Sequence, residues 1–171
     1  MPQTPHMHPS STTTAVPNPH LVEVTRGDMV ESRHRAAVAV ADTDGKVVRA
    51  WGDVAAPVYA RSAIKPLQAL PLIESGAADR FGLGAAEIAL ACASHSGEPR
   101  HVATVLAWLE RIGLGVGDLE CGSHPPHHAP SAEALLAAGA APTPAHNNCS
   151  GKHAGFLATA RHLAEPTRGY I

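Results

Sequence analysis

The chain has 171 residues, 44% of them hydrophobic, with a formal net charge of -2 and a pI near 6.6. That length fits one domain with a core, while the near-neutral charge excludes an electrostatic case for binding nucleic acid or an acidic membrane. The cysteines, Cys92, Cys121 and Cys149, are odd in number and no apolar export signal precedes them. They read as free thiols of a cytoplasmic protein rather than a disulfide framework.

Residues 1–20, "MPQTPHMHPSSTTTAVPNPH", carry Pro, Ser, Thr and His with little to bury. They are expected to form a disordered leader, in which His6 and His8 belong to a solvated tail rather than a metal site. Order is expected over 21–171. "HLVEVTR" and "MVESRH" read as short strands around an Arg-Gly-Asp turn at 26–28, a turn and not an adhesion signal. "RAAVAVADTDGKVVRAWG" reads as a hairpin closed at "DTDG".

The pattern then turns helical. "SAIKPLQALPLIESG" predicts a helix from near Ser62 to Gly76, because Pro66 is tolerated only in a first turn. "GEPRHVATVLAWLERIG" is the clearest helix, with Pro99 near its start, Gly113 at its end, and Trp108 and Leu109 on its core face. "SAEALLAAG" and "SGKHAGFLATARHLAE" predict further helices. A sheet followed by several helices is an α+β fold rather than alternating βαβ units.

Lysine is scarce: among thirteen basic residues only Lys46, Lys65 and Lys152 are lysines. Arginine does not lose its proton in a protein, whereas a lysine amine can act neutral as a base or a metal ligand. Ser62 and Lys65 are spaced Ser-x-x-Lys at a predicted helix start, so the amine can reach the hydroxyl and take its proton. The bland alternative is a serine cap beside a solvated lysine. In "ACASHSGEPRH", Ser96 suits a helix cap and Ser94 is better placed to face a cleft. His95 is a poor base for Ser94, because adjacent side chains rarely converge. In "HNNCSGKHAG", the Gly-Lys pair fails as a phosphate loop: His153 stands where Ser or Thr is required. What remains is Cys149 and Lys152 on one face at a helix start, a possible half of a metal site. "HPPHH" (His124, His127, His128) shows no ligand spacing and reads as a surface loop.

Taken together, "RSAIKPLQALPL", "ASHSGEPRHV" and "HNNCSGKHAGFL" closely resemble, in order and spacing, the rhizobial-type (thermolabile, asparaginase II) L-asparaginases, from about His20 to Ile171. The resemblance implies a fold like that of serine β-lactamases and penicillin-recognising enzymes, an antiparallel sheet with helices. It implies hydrolysis of L-asparagine to aspartate and ammonia, with Ser62 and Lys65 as one Ser-Lys tandem and Ser94 as the serine of a second. Cys149 and Lys152 match ligands of the family's zinc, which tunes substrate binding. Family members run to roughly twice this length, so 21–171 corresponds to the N-terminal half of an asparaginase domain. The resemblance further implies a homodimer at full length and a second lysine for Ser94 outside this chain. The alternatives are another β-lactamase-like serine amidohydrolase of glutaminase type, or a non-enzymatic remnant that binds zinc or a partner.

Overall fold

The computed structural model describes residues 17–171, so His6, His8 and most of the expected leader lie outside the described residues. The described chain is mixed α and β, and it divides into residues up to Tyr59 and residues from Ala60 onward.

The first unit is two antiparallel hairpins. β1 (His20–Arg26) pairs with β2 (Met29–Arg35), and β3 (Val38–Ala41) with β4 (Val47–Trp51), as separate two-stranded sheets. Gly27 turns the first with φ 59°, a conformation open to glycine at the first position of a two-residue loop. The Arg-Gly-Asp stretch is therefore a hairpin turn, and Arg26 pairs with Glu31 rather than projecting freely. Asp42 closes the second hairpin, its Oδ1 accepting the Asp44 and Lys46 amides at 3.1 and 2.9 Å. Every strand residue is exposed.

The second unit is helical: α1 (Lys65–Gln68), α2 (Leu70–Glu74), α3 (Ala77–Arg80), α4 (Ala85–Cys92), α5 (Pro99–Arg111), α6 (Ala129–Ala137) and α7 (Ser150–His162). The single helix expected from Ser62 to Gly76 is instead a 3₁₀ turn (Arg61–Ile64) followed by α1 and α2. Pro66 and Pro71 each sit at a helix start, as proline's missing N–H demands, and the second proline ends the run at Ala69. α5 forms as expected, burying Val105, Trp108 and Leu109 at helical spacing, and Gly113 follows it with φ 72°.

α7 is the central helix of this unit and touches α2, α3, α4 and α5. Its small residues explain how. A Cβ on Gly151 would overlap the Leu90 carbonyl oxygen and lie 2.6 Å from the Leu90 Cβ. One turn on, Gly155 faces Ala91, Leu72 and Trp108. The helices therefore approach at backbone distance, and Leu72, Leu109, Leu157 and Trp108 fill the space around them. Each such buried leucine contributes about 2 kcal/mol of transfer free energy. No helix among the described residues is long and apolar enough to cross a membrane.

Candidate active site

The helical unit brings three sequence-distant segments together around Lys65. The first carries Ser62 on the 3₁₀ turn, which the chain enters through Arg61 at φ 48°. A non-glycine residue in that region costs on the order of 1–2 kcal/mol, held here immediately before an exposed serine. The second carries Ser94: α4 ends at Cys92, Ala93 turns extended (φ -136°, ψ 161°), and Ser94 is exposed. The third is Asn148, just before α7.

Lys65 sits beneath the two serines, only 2% exposed. Its Nζ donates to Ser94 Oγ at 2.8 Å, to the Ala93 carbonyl at 3.3 Å and to the Asn148 carbonyl at 3.4 Å. Ser94 Oγ in turn donates to Ser62 Oγ at 3.0 Å. Lys65 thus reaches Ser62 through Ser94. Hydroxyl hydrogens rotate, so the same oxygens can relay a proton in either direction. An open cleft of about 670 Å³ begins at Ser94 and runs past Ala86, Ala89, Arg100 and Thr104. A separate apolar groove of about 390 Å³, between α5 and α6, is lined by none of Ser62, Lys65 and Ser94.

The histidine beside Ser94 turns away from it. His95 is buried with Nε2 2.8 Å from Ser150 Oγ, so it is not the base of a Ser-His pair. Burial holds its pKa down to about 4, and the neighbouring His101 and Lys65 add to the effect. Ser96 does not cap α5 directly: its hydroxyl donates to Glu98, the capping residue, at 2.8 Å. That hydrogen bond is the main reason the Glu98 carboxyl lies below its ordinary range. In the "HPPHH" loop, His124 Nε2 accepts the Asn148 amide at 3.2 Å, and the His128 amide donates to the Ser96 carbonyl at 2.9 Å. The loop braces the site's backbone.

Cys149 and Lys152 occupy the start of α7, both half-buried. The Cys149 amide donates to Asn147 Oδ1 at 2.8 Å, and the Lys152 amine lies 5.4 Å from the Phe156 ring centre. Thiolate and neutral amine are donors that zinc accepts, but among the described residues no three of His, Cys, Asp and Glu gather as a metal site. The Cys121 thiol has its pKa pushed up to about 11, mainly by burial, and donates to the Pro144 carbonyl. The donor chemistry of Cys149 and Lys152 fits zinc, and together they offer it two donors. His153 turns the other way: its Nδ1 accepts from the Tyr170 hydroxyl at 2.9 Å, and burial lowers its pKa to about 4.

Sequence reasoning missed one participant, the Asn148 carbonyl. Every residue has a carbonyl, so no side-chain signal could have marked it.

A helical body carrying two exposed hydroxyls above a buried lysine amine is the kind of arrangement on which serine-dependent amide hydrolysis can run. The L-asparaginase II family model matches residues 22–171. The chain belongs to that family. No curated protein matches it.

Proposed function

We propose that Ser62, Ser94 and Lys65 of this chain are the serine-lysine machinery of an enzyme that hydrolyses the side-chain amide of L-asparagine to aspartate and ammonia. The observation that carries the reading is the unbroken relay: a lysine amine 2% exposed, 2.8 Å from Ser94 Oγ, which is 3.0 Å from the exposed Ser62 Oγ. In this mechanism Ser62 Oγ attacks the amide carbon while its proton passes to Ser94 and the Ser94 proton passes to the Lys65 amine. That step requires the free-base form of the amine, with a lone pair in place of one of its three donated hydrogen bonds. The resulting oxyanion collapses and expels ammonia, which recovers that proton along the same path. Water then attacks the aspartyl ester, sends a proton down the relay, and releases aspartate as Ser62 regains its hydrogen. Lysine can serve as this acceptor where arginine cannot. The β-lactamase-like architecture belongs to the same reading and rests on the family match.

The direct Lys65–Ser94 contact favours a second assignment, in which Ser94 is acylated and Ser62 relays. A diazoketone analogue of asparagine, followed by peptide mass spectrometry, distinguishes the two by the serine that carries the label. Ammonia release from L-asparagine, with L-glutamine as the competing substrate, tests the activity itself. Turnover of glutamine alone would move the chain to a different amidohydrolase, and turnover of neither would overturn the proposal.

Zinc is part of the proposal only as a modulator. Cys149 and Lys152 would supply two of its donors, and two are too few for a tight site. The chain should therefore bind zinc weakly in a calorimetric titration, and Cys149→Ala should weaken that binding further. Tight, stoichiometric binding would show that the site is more complete than these two donors.

A further inference from the structure

The mechanism depends on Ser94 Oγ staying 2.8 Å from the Lys65 amine, yet Ser94 lies on an irregular segment between α4 and α5. What fixes that segment is the residue next to it. His95 is 8% exposed, and both of its ring nitrogens have defined partners. The Gly97 amide donates to Nδ1 at 3.1 Å, so Nδ1 carries no proton. The Ser150 hydroxyl donates to the Ala145 carbonyl at 2.9 Å, which leaves its oxygen free to accept Nε2–H at 2.8 Å. One tautomer satisfies all of these bonds: neutral imidazole with its hydrogen on Nε2. The backbone follows the same path, since the His95 amide donates at 3.1 Å to the Asn148 carbonyl, which also accepts from Lys65. Gly97 has no slack either, because a Cβ there would lie 2.9 Å from Pro126 and 3.1 Å from the His146 carbonyl.

We propose that His95 is a positioning residue: held as its Nε2–H tautomer between Gly97 and Ser150, it fixes the segment that carries Ser94 over the Lys65 amine. Its catalytic consequence rests on the serine-lysine reading above, but its geometric claim does not. Imidazole is suited to the task because one ring both accepts from its own loop and donates to the first turn of α7. A second ring proton would set two donors facing each other at Gly97, and would place a cation near Lys65, His101, His124 and His146.

The test uses the 171-residue chain and reads Lys65 rather than turnover. In the wild type, the covered Lys65 amine should react slowly with a water-soluble N-hydroxysuccinimide ester, with exposed Lys46 as the internal reference. His95→Gln can keep the donation to Ser150 but loses the acceptor for Gly97, and Ser150→Ala removes the partner of Nε2–H. Both variants should unfold cooperatively, yet Lys65 should acylate about tenfold faster or more while Lys46 is unchanged. Unchanged Lys65 reactivity in folded variants would overturn the proposal. So would global unfolding of both, which would make His95 a support of the whole body rather than of this segment. On the wild type alone, ¹⁵N NMR should show a protonated Nε2 and a bare Nδ1 at His95, and the opposite tautomer would refute the assignment. A chain that protects Lys65 yet fails to hydrolyse asparagine would leave this role standing and sink the proposed function instead.

Discussion

The two hairpins and the helical body are built on opposite terms. In the hairpins, β3 and β4 carry Val38, Val40, Val47, Val48 and Trp51, all between 36% and 54% exposed. In the helical body, comparable apolar side chains such as Val105, Leu157 and Trp108 are fully covered. The strands are held by backbone ladders, turn chemistry and exposed ion pairs, and the helices by close packing around α7. Amino-acid type alone does not decide burial. A valine in β3 and a valine in α5 differ in what the chain brings against them. The candidate chemistry sits entirely in the packed half, where a buried lysine amine can be held in place.

The largest expected effect is on catalysis. If the packed half carries the chemistry, Lys65→Arg should lower asparagine turnover by about 10² to 10⁴, because a guanidinium stays protonated and cannot accept the proton. Ser62→Ala should do at least as much, whereas Val40→Thr in β3 should leave kcat within a factor of two. Ammonia-release kinetics check all three, and near-full turnover in Lys65→Arg would remove the general-base role.

Stability should divide in the same way. Leu157→Ala, at a site 0% exposed, should cost about 2–5 kcal/mol in urea unfolding. Gly151→Ala should be of similar order, since the added methyl meets Leu90 backbone that cannot swing aside. Val40→Ala should cost about 0.5 kcal/mol or less. Equal losses in β3 and α7 would erase the comparison.

Acid should act on the packed half next. Folding lowers the His95 pKa from 6.5 to about 4, so between those values the unfolded chain binds more protons than the folded one. Stability from neutral His95 is therefore complete above about pH 6.5 and is lost progressively as the pH falls toward 4, amounting to roughly 3 kcal/mol. Urea midpoints should fall between pH 7 and 4.5 in the wild type, and fall less in His95→Gln. The hairpin ion pair is also a small effect: Glu31→Gln removes the Arg26 pair, whose groups are 82% and 48% exposed, and should change the unfolding free energy by at most about 1 kcal/mol.

Much of this organisation was legible in the sequence where a local rule governs. The hairpins followed from Gly27 and Asp42 at their turns, and α5 from Pro99, Gly113 and the core face that carries Trp108 and Leu109. Less legible was "AAEIALAC", whose apolar run has no helical period to separate it from a strand, yet forms α4. The break at Ala69 could have been weighed from Pro71, which stands where one continuous helix would need an N–H. Within the site, the Ser62 and Lys65 spacing was visible, as was the unsuitability of His95 as a base. The order of the relay was not, because it depends on where α4 delivers Ser94, a tertiary outcome with no local signature.

The carbonyl of Asn148 takes hydrogen bonds from both Lys65 and the His95 amide, and it belongs to the main chain. Every genetically encoded residue would supply the same oxygen there. An alanine scan is therefore blind to this contact, and a position that tolerates replacement in such a scan can still hold a hinge pin of the site. Exchanging the following amide for an ester, with residue 149 introduced by chemical synthesis as its α-hydroxy acid, weakens that carbonyl as an acceptor without changing any side chain. It also removes the Cys149 N–H that donates to Asn147 Oδ1. Selection sees the same oxygen only through the path of the backbone, so its imprint should fall on the neighbours that shape the path rather than on residue 148 itself.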